Sequence, residues 1–156
     1  MNKLIVVLAL ILSSATYAND HNYEEADIQC LAENIYFESR NQGKLGKIAV
    51  ALVTLNRVMH PRWPNDICGV VKQAKMWGEV VVRHQCQFSW YCNSESDVPT
   101  DSKAWELSKQ VAEGVLLGRT KGSVGKAIHY HAEYVYPKWA KTRPIVGKIG
   151  VHIFYE

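Results

Sequence analysis

The segment Glu24-Glu25-Ala26-Asp27-Ile28-Gln29-Cys30-Leu31-Ala32-Glu33-Asn34-Ile35-Tyr36-Phe37-Glu38-Ser39 carries Ile28, Leu31, Ala32 and Ile35 at helical spacing. Asn22, with Glu25 three residues on, has the form of a capping box, so the pattern predicts a first helix from about Glu24 to Ser39. Working outward, Gly43 separates this helix from a second apolar series, Leu45, Ile48, Ala49, Leu52, Leu55 and Met59, which stops at His60-Pro61. Proline lacks the N–H a helix needs and pushes its predecessor out of the helical region, so a second helix ends there. Asn65 or Asp66 can cap a short turn of helix through Val71. From Lys72 to Asp97 no period is clean, which predicts irregular structure with one or two short strands. Thr100 or Asp101 caps a third long helix, with Ala104, Trp105, Ser108, Val111, Ala112, Val115 and Leu116 as its buried stripe and Gly118 at its end. Ala127 to Ala132 and Ile149 to Tyr155 read as strands, the second alternating Ile149, Val151, Ile153 and Tyr155 against Gly150, His152 and Phe154. Helices first and a short sheet last make an α+β fold.

Composition sets limits on function. The 156 residues are 47% hydrophobic and 21% charged, as in a globular domain, and the net charge of +3 is too mild and too evenly spread for nucleic-acid binding by bulk electrostatics. Residues 1 to 18 have the form of a secretory signal peptide: Lys3 at the start, an apolar run from Leu4 to Leu12, and small residues ending at Ala18. One domain over 19–156 is then expected in the periplasm or outside the cell, with no stable membrane anchor. An oxidising compartment favours disulfides among Cys30, Cys68, Cys86 and Cys92. Three pairings are open. A Cys86–Cys92 bridge would pin the short loop Gln87-Phe88-Ser89-Trp90-Tyr91 and leave Cys30 with Cys68.

Three features carry chemistry. Glu38 stands at the end of the first helix, flanked by Tyr36 and Phe37 and followed by the Asn41-Gln42-Gly43 break, where a helix end can open onto a cleft. Apolar neighbours raise a carboxyl's pKa and suit it to general-acid work, against which Arg40 pulls. His129-Tyr130-His131 puts two imidazoles on one face of a strand, with His152 a candidate to join them from a neighbouring strand. Such a set reads either as zinc ligands or as hydrogen-bonding walls of a polar groove. Of five tryptophans, Trp105 falls at helical spacing, whereas Trp63, Trp90 and Trp139 fall in loops, where their faces can stack on sugar rings or cover the core edge.

Read together, the segments resemble the bacterial cell wall hydrolases of the SleB and CwlJ type, the spore cortex-lytic enzyme family. The matching stretches are Cys30 to Arg40, Gly46-Lys47-Ile48-Ala49-Val50 with Leu55-Asn56-Arg57-Val58, and Pro64 to Val71. Cys86-Gln87-Phe88-Ser89-Trp90, His129-Tyr130-His131-Ala132 and Ile149 to Tyr155 complete the set, which covers nearly all of 28–155 in the family's order. The resemblance implies a lysozyme-like, lytic-transglycosylase-type domain acting on peptidoglycan glycan strands, with Glu38 as catalytic residue and no cofactor. Ser39 departs from the usual alanine, and Asn41-Gln42 from the frequent Gly-Glu.

Two-carboxylate glycosidases need a second acid across the scissile bond, and no other Asp or Glu lies in an equally marked segment, so one carboxyl would serve as acid and then as base. Gln87, Ser89, Trp90, His129, Tyr130, His131 and Trp139 are the candidate substrate-positioning residues. Two other readings remain: a zinc or Cys-His enzyme cutting the peptide part of the wall, with Cys30 and His129 or His131, and a wall-binding module without catalysis.

Overall fold

A computed structural model of the chain describes residues 23–156. The expected signal peptide and Asn22 lie outside the described residues.

Helix α1 (Glu25–Ser39) forms the centre, and α2 (Lys44–Val58), α3 (Ile67–Val71) and α4 (Ser102–Leu116) pack on it. Its start differs slightly from expectation: the capping box joins Glu24 and Asp27, whose side chain accepts from the Glu24 N–H at 3.2 Å. Because three helices cover α1, it is buried on more than one stripe. Leu31, Ala32 and Ile35 are fully enclosed, and so are the polar Asn34 and the phenol ring of Tyr36. Asn34 is satisfied on both ends, donating to Thr54 Oγ1 at 3.0 Å and accepting from Trp90 Nε1 at 3.1 Å, as a buried amide must be.

The second helix departs most from its sequence pattern. Leu45 and Met59, placed on the buried face, are 68% and 81% exposed, while Lys47 and Arg57 are buried. Hydrophobic periodicity misassigns these ends because both buried cations have specific backbone acceptors. Lys47 Nζ donates to the carbonyls of Ser39 and Arg40 at 3.0 and 3.3 Å, closing the C-terminus of α1, where unpaired carbonyls and the helix dipole favour a cation. Arg57 Nε donates to Ile128 O at 2.8 Å. Its neighbour Asn56 donates to Gly125 O and Ala127 O at 3.0 and 2.9 Å. The end of α2 thus clamps the segment that leads into the C-terminal sheet.

Asp66 caps α3 through the Gly69 N–H, and Asp101 caps α4 through the Ala104 N–H. Between them the irregular region holds an antiparallel hairpin, β1 (Ala74–Trp77) and β2 (Val80–Cys86), then a 3-10 turn over Ser89–Cys92. Disulfides join Cys30 to Cys68, tying α1 to α3, and Cys86 to Cys92, tying the end of β2 to the 3-10 turn.

The C-terminal sheet has three antiparallel strands, β3 (His129–Ala132), β4 (Ile145–Ile149) and β5 (His152–Tyr155), in the order β3-β5-β4. The single strand expected over Ile149–Tyr155 is divided: Ile149 ends β4, Gly150 and Val151 make the turn of a hairpin, and β5 follows. Gly150 takes φ +60°, and a Cβ there would meet the Gln42 side chain. Gln42 Oε1 accepts from the Val151 N–H at 3.2 Å, so the loop between α1 and α2 is fastened to this turn. Ser39, the other departure from the family pattern, turns its hydroxyl back to donate to Ile35 O. Among the described residues no helix is long and apolar enough to cross a membrane.

Lys47→Met keeps the buried stem and strands two helix-end carbonyls. The expected cost is about 1–3 kcal/mol, read in thermal unfolding as a Tm lower by roughly 3–10 °C. An unchanged Tm would mean that α1 does not depend on this lysine.

Candidate active site

Glu38 occupies the last turn of α1, and Tyr130 of β3 reaches it from the sheet. The Tyr130 hydroxyl donates to Glu38 Oε2 at 2.8 Å, across 92 residues of sequence. Burial raises the Glu38 pKa above the ordinary carboxylate value, opposed by the Tyr130 hydrogen bond and by the charge of Arg57. Burial and the adjacent carboxylate push Tyr130 well above its usual value, so it keeps its proton and acts as a donor. That leaves Glu38 Oε1 without a protein partner among the described residues, and it is not sealed from solvent.

Two cavities meet at this carboxyl. The larger, about 510 Å³, runs along the end of α1 and the 3-10 turn, past Arg40, Gln42, Ser89, Asn93 and Tyr134 to Val151 and His152. The smaller, about 240 Å³, is lined by Arg57, Gln87, Phe88, His129, Tyr130 and Trp139. Glu38 lines both, and no other described residue does. A polar trough with one protonatable group midway suits an extended polar polymer crossing that group.

The sequence-derived candidates distribute unevenly over this trough. Gln87, His129, Tyr130 and Trp139 line the smaller cavity, and Ser89 the larger. Gln87 is oriented by Trp63, whose Nε1 donates to its Oε1 at 3.1 Å. Trp90 borders the larger cavity but is only 7% exposed, stacked on Phe37 at 4.7 Å with its N–H held by Asn34, so it builds the floor and offers no open face for a sugar. His131 lines neither cavity. Its Nδ1 bonds Ala132 O and its Nε2 bonds the Tyr155 hydroxyl at 2.8 Å, an arrangement that fits the Nδ1–H tautomer, and it belongs to the sheet. Trp105 packs edge-on against Tyr36 at 6.1 Å.

The register also separates the three histidines. His129 lies opposite Tyr155 and His131 opposite Ile153, whereas His152 lies opposite Ala132 and so shares the face of Tyr130. Its ring sits 5.1 Å from that of Tyr130. The expected convergence of His152 with His129 and His131 therefore does not occur. Cys30, the thiol of the Cys-His reading, is spent in a disulfide. Burial and the nearby Arg143, Arg57 and Arg62 push His129 down to about 4, so it is neutral at ordinary pH.

Sequence reasoning missed Arg57, Gln42, Tyr134 and Glu95. Arg57 was hidden in an amphipathic pattern, and its buried placement follows from its bond to Ile128 O, 71 residues away and just before β3. Glu95 is a second carboxylate on the larger cavity, exposed on an irregular turn that no periodicity marks.

A family model described as cell wall hydrolase matches residues 41–155. The spore cortex-lytic enzyme of Bacillus cereus is 31% identical over 137 residues, 86% of this chain and 46% of that protein. That of Bacillus subtilis is 25% identical over 137 residues, 86% of this chain and 39% of its own length. The chain thus spans less than half the length of the relatives it matches. The crystal structure of the catalytic domain of Bacillus cereus SleB superposes with TM-score 0.61 at 30% identity, covering 86% of this chain and 92% of that one. The catalytic domain of the germination-specific lytic transglycosylase SleB from Bacillus anthracis gives TM-score 0.62 at 29% identity, covering 87% and 98%. With the SleB catalytic-domain fold and the family pattern running through the α2 clamp and the β3–β5 sheet, this chain belongs to the cell wall hydrolase family.

Proposed function

We propose that this chain cleaves the glycan strands of peptidoglycan, with Glu38 acting first as acid and then as base in a lytic-transglycosylase reaction. The observation that carries the reading is that Glu38, alone among the described residues, lines both cavities while Tyr130 engages only one of its oxygens. The strand lies across Glu38 with the scissile bond at Oε1. Protonated Glu38 gives its hydrogen to the glycosidic oxygen as the bond from that oxygen to C1 of the muramic residue breaks. The departing oxygen takes the bonding pair, and positive charge spreads over C1 and the ring oxygen. Glu38, now ionised and held at Oε2 by Tyr130, removes the proton of the muramic C6 hydroxyl as that oxygen bonds to C1. The products are a free 4-hydroxyl and a 1,6-anhydro sugar, and no water is consumed.

Support comes from the chemistry of the trough and from the Bacillus anthracis relative, whose name states a lytic transglycosylase. Two disulfides suit an exported protein working in a periplasm or outside the cell, as the first 18 residues also suggest. Glu95, on the wall of the larger cavity, favours one competing outcome, in which it directs a water to C1 and the product keeps a reducing end.

Mass spectrometry of sacculi digested with the purified protein separates these outcomes. Anhydro-muramoyl fragments are expected. Reducing ends that disappear in Glu95→Gln would replace the transglycosylase reading by hydrolysis, and peptide-cut fragments with intact glycan would remove both. Glu38→Gln is expected to lower the rate by roughly 10²–10⁴-fold, and an unaltered rate would unseat Glu38 as the reacting group.

The raised Glu38 pKa fixes a direction of pH dependence. The acid form starts the reaction, so kcat/KM holds at low pH and falls as pH rises through that pKa. Tyr130→Phe removes a bond that favours the ionised form, so it should carry the falling limb to higher pH. A limb that moves to lower pH, or does not move, would contradict this account of the pair.

A further inference from the structure

Arg57 is 4% exposed, yet it lines the smaller cavity together with Glu38 and Tyr130. Its guanidinium lies against two aromatic faces, 5.0 Å from the Phe88 centroid and 5.7 Å from that of Trp63. Nε is used on Ile128 O. Nη1 is buried and has no hydrogen-bond partner. A charged donor left unpaired in the interior is costly and calls for an explanation.

The spacing around Glu38 supplies one. No ion pair within 4.0 Å joins Arg57 to Glu38 among the described residues. A direct bridge would hold the carboxyl ionised and remove the acid that the first step needs. At a longer range the positive charge still acts on the carboxyl.

The other groups facing Glu38 do not duplicate it. On the smaller-cavity side, Tyr130 and His129 of β3 are both neutral, which leaves Arg57 of α2 as the full charge there. On the larger-cavity side stand His152 of β5, Arg40 on the end of α1 and Glu95 on the turn after the 3-10 segment. Arg40 and Glu95 are exposed and solvent-screened. Burial lowers the His152 pKa, with a further contribution from His131, which favours the neutral ring.

We propose that Arg57 is a positioning residue that steadies the carboxylate of Glu38 between its two proton transfers, so that one side chain can serve as acid and then as base. This rests on the reading of Glu38 given above. In the acid form that starts the reaction Glu38 is neutral, and Nη1 is unpaired. When Glu38 gives up its hydrogen, the new negative charge and the waiting cation compensate each other across the cavity, and the return of a proton from the C6 hydroxyl restores the starting state. The same arginine holds Ile128 O, two residues from Tyr130, so charge and geometry at Glu38 have a common support.

The test compares the purified wild-type chain with Arg57→Gln and Arg57→Lys on sacculi across pH. Arg57→Gln is expected to lower kcat on the order of tenfold with KM changed less than about twofold, and to carry the alkaline limb of kcat/KM to higher pH. Arg57→Lys, which keeps the charge, should hold the limb at its wild-type position. A folded Arg57→Gln protein whose limb coincides with wild type overturns the proposal, since a structural role alone would lower stability without moving it. Should that variant not fold, the unaltered protein decides. The side-chain ¹⁵N signals of Arg57 should titrate with the same midpoint as the ¹³C carboxyl signal of Glu38, and an Arg57 signal flat through that midpoint refutes the coupling. Glu38→Gln separates the two failures: an active variant removes the acid-base reading itself, whereas an inactive one with an unmoved Arg57→Gln limb removes Arg57 alone.

Discussion

A single hydrogen bond, from the Tyr130 hydroxyl to Glu38 Oε2, joins the helical half of this molecule to its sheet at the point where the two cavities meet. It constrains much of the remaining architecture. The end of α1 must stay helical through Glu38 and then stop, which the buried Lys47 enforces by taking the Ser39 and Arg40 carbonyls. Strand β3 must arrive at the right height, which Asn56 and Arg57 arrange by holding the 125–128 backbone. The sheet must not swing away, and Gln42 pins its hairpin turn to the loop after α1. A carboxyl whose protonation is set by burial, one donor and one buried cation tolerates little slack in the elements that carry them.

The polar residues that look misplaced in a hydrophobic core share a logic. Asn34, Lys47, Thr54 and Arg57 are all buried, and each meets a partner from another helix, loop or strand. Such groups are costly when unpaired, so each strongly disfavours packings in which its partner is displaced. The disulfides act at a coarser level. One fixes α1 to α3, and the other holds the short turn that presents Gln87 and Ser89 to opposite sides of Glu38. The trough at Glu38 therefore rests on covalent and hydrogen-bonded supports, while its exposed rim, including Tyr134 and Glu95, stands on irregular backbone.

Much of the fold was legible because local rules were obeyed. Asp66 and Asp101 cap the helices that their positions announce, Pro61 and Gly118 follow the helix ends they mark, and β3 lies within its expected span. The failures have physical causes. Leu45 and Met59 follow a helical stripe but stay exposed, while Lys47 and Arg57 are drawn inside by backbone acceptors. Ile149 to Tyr155 alternates like one strand, yet Gly150 at positive φ folds it into the end of a hairpin and brings in β4, which has too few marked residues to stand out. Trp90 sits in a non-periodic segment and is nevertheless core, because Asn34 and Phe37 reach it from α1.

By itself the sequence determined the α+β order of elements, the helix limits to within a residue or two, and Glu38 as the carboxyl worth attention. Those properties depend on spacing, capping and neighbours along the chain. Only the tertiary structure decided that Tyr130 touches Glu38, that His131 turns into the sheet while His129 stays on the cavity, and that Arg57 lies buried beside the acid. These depend on which surfaces meet across 24 to 92 residues of chain, and such meetings are set by the packing of whole elements.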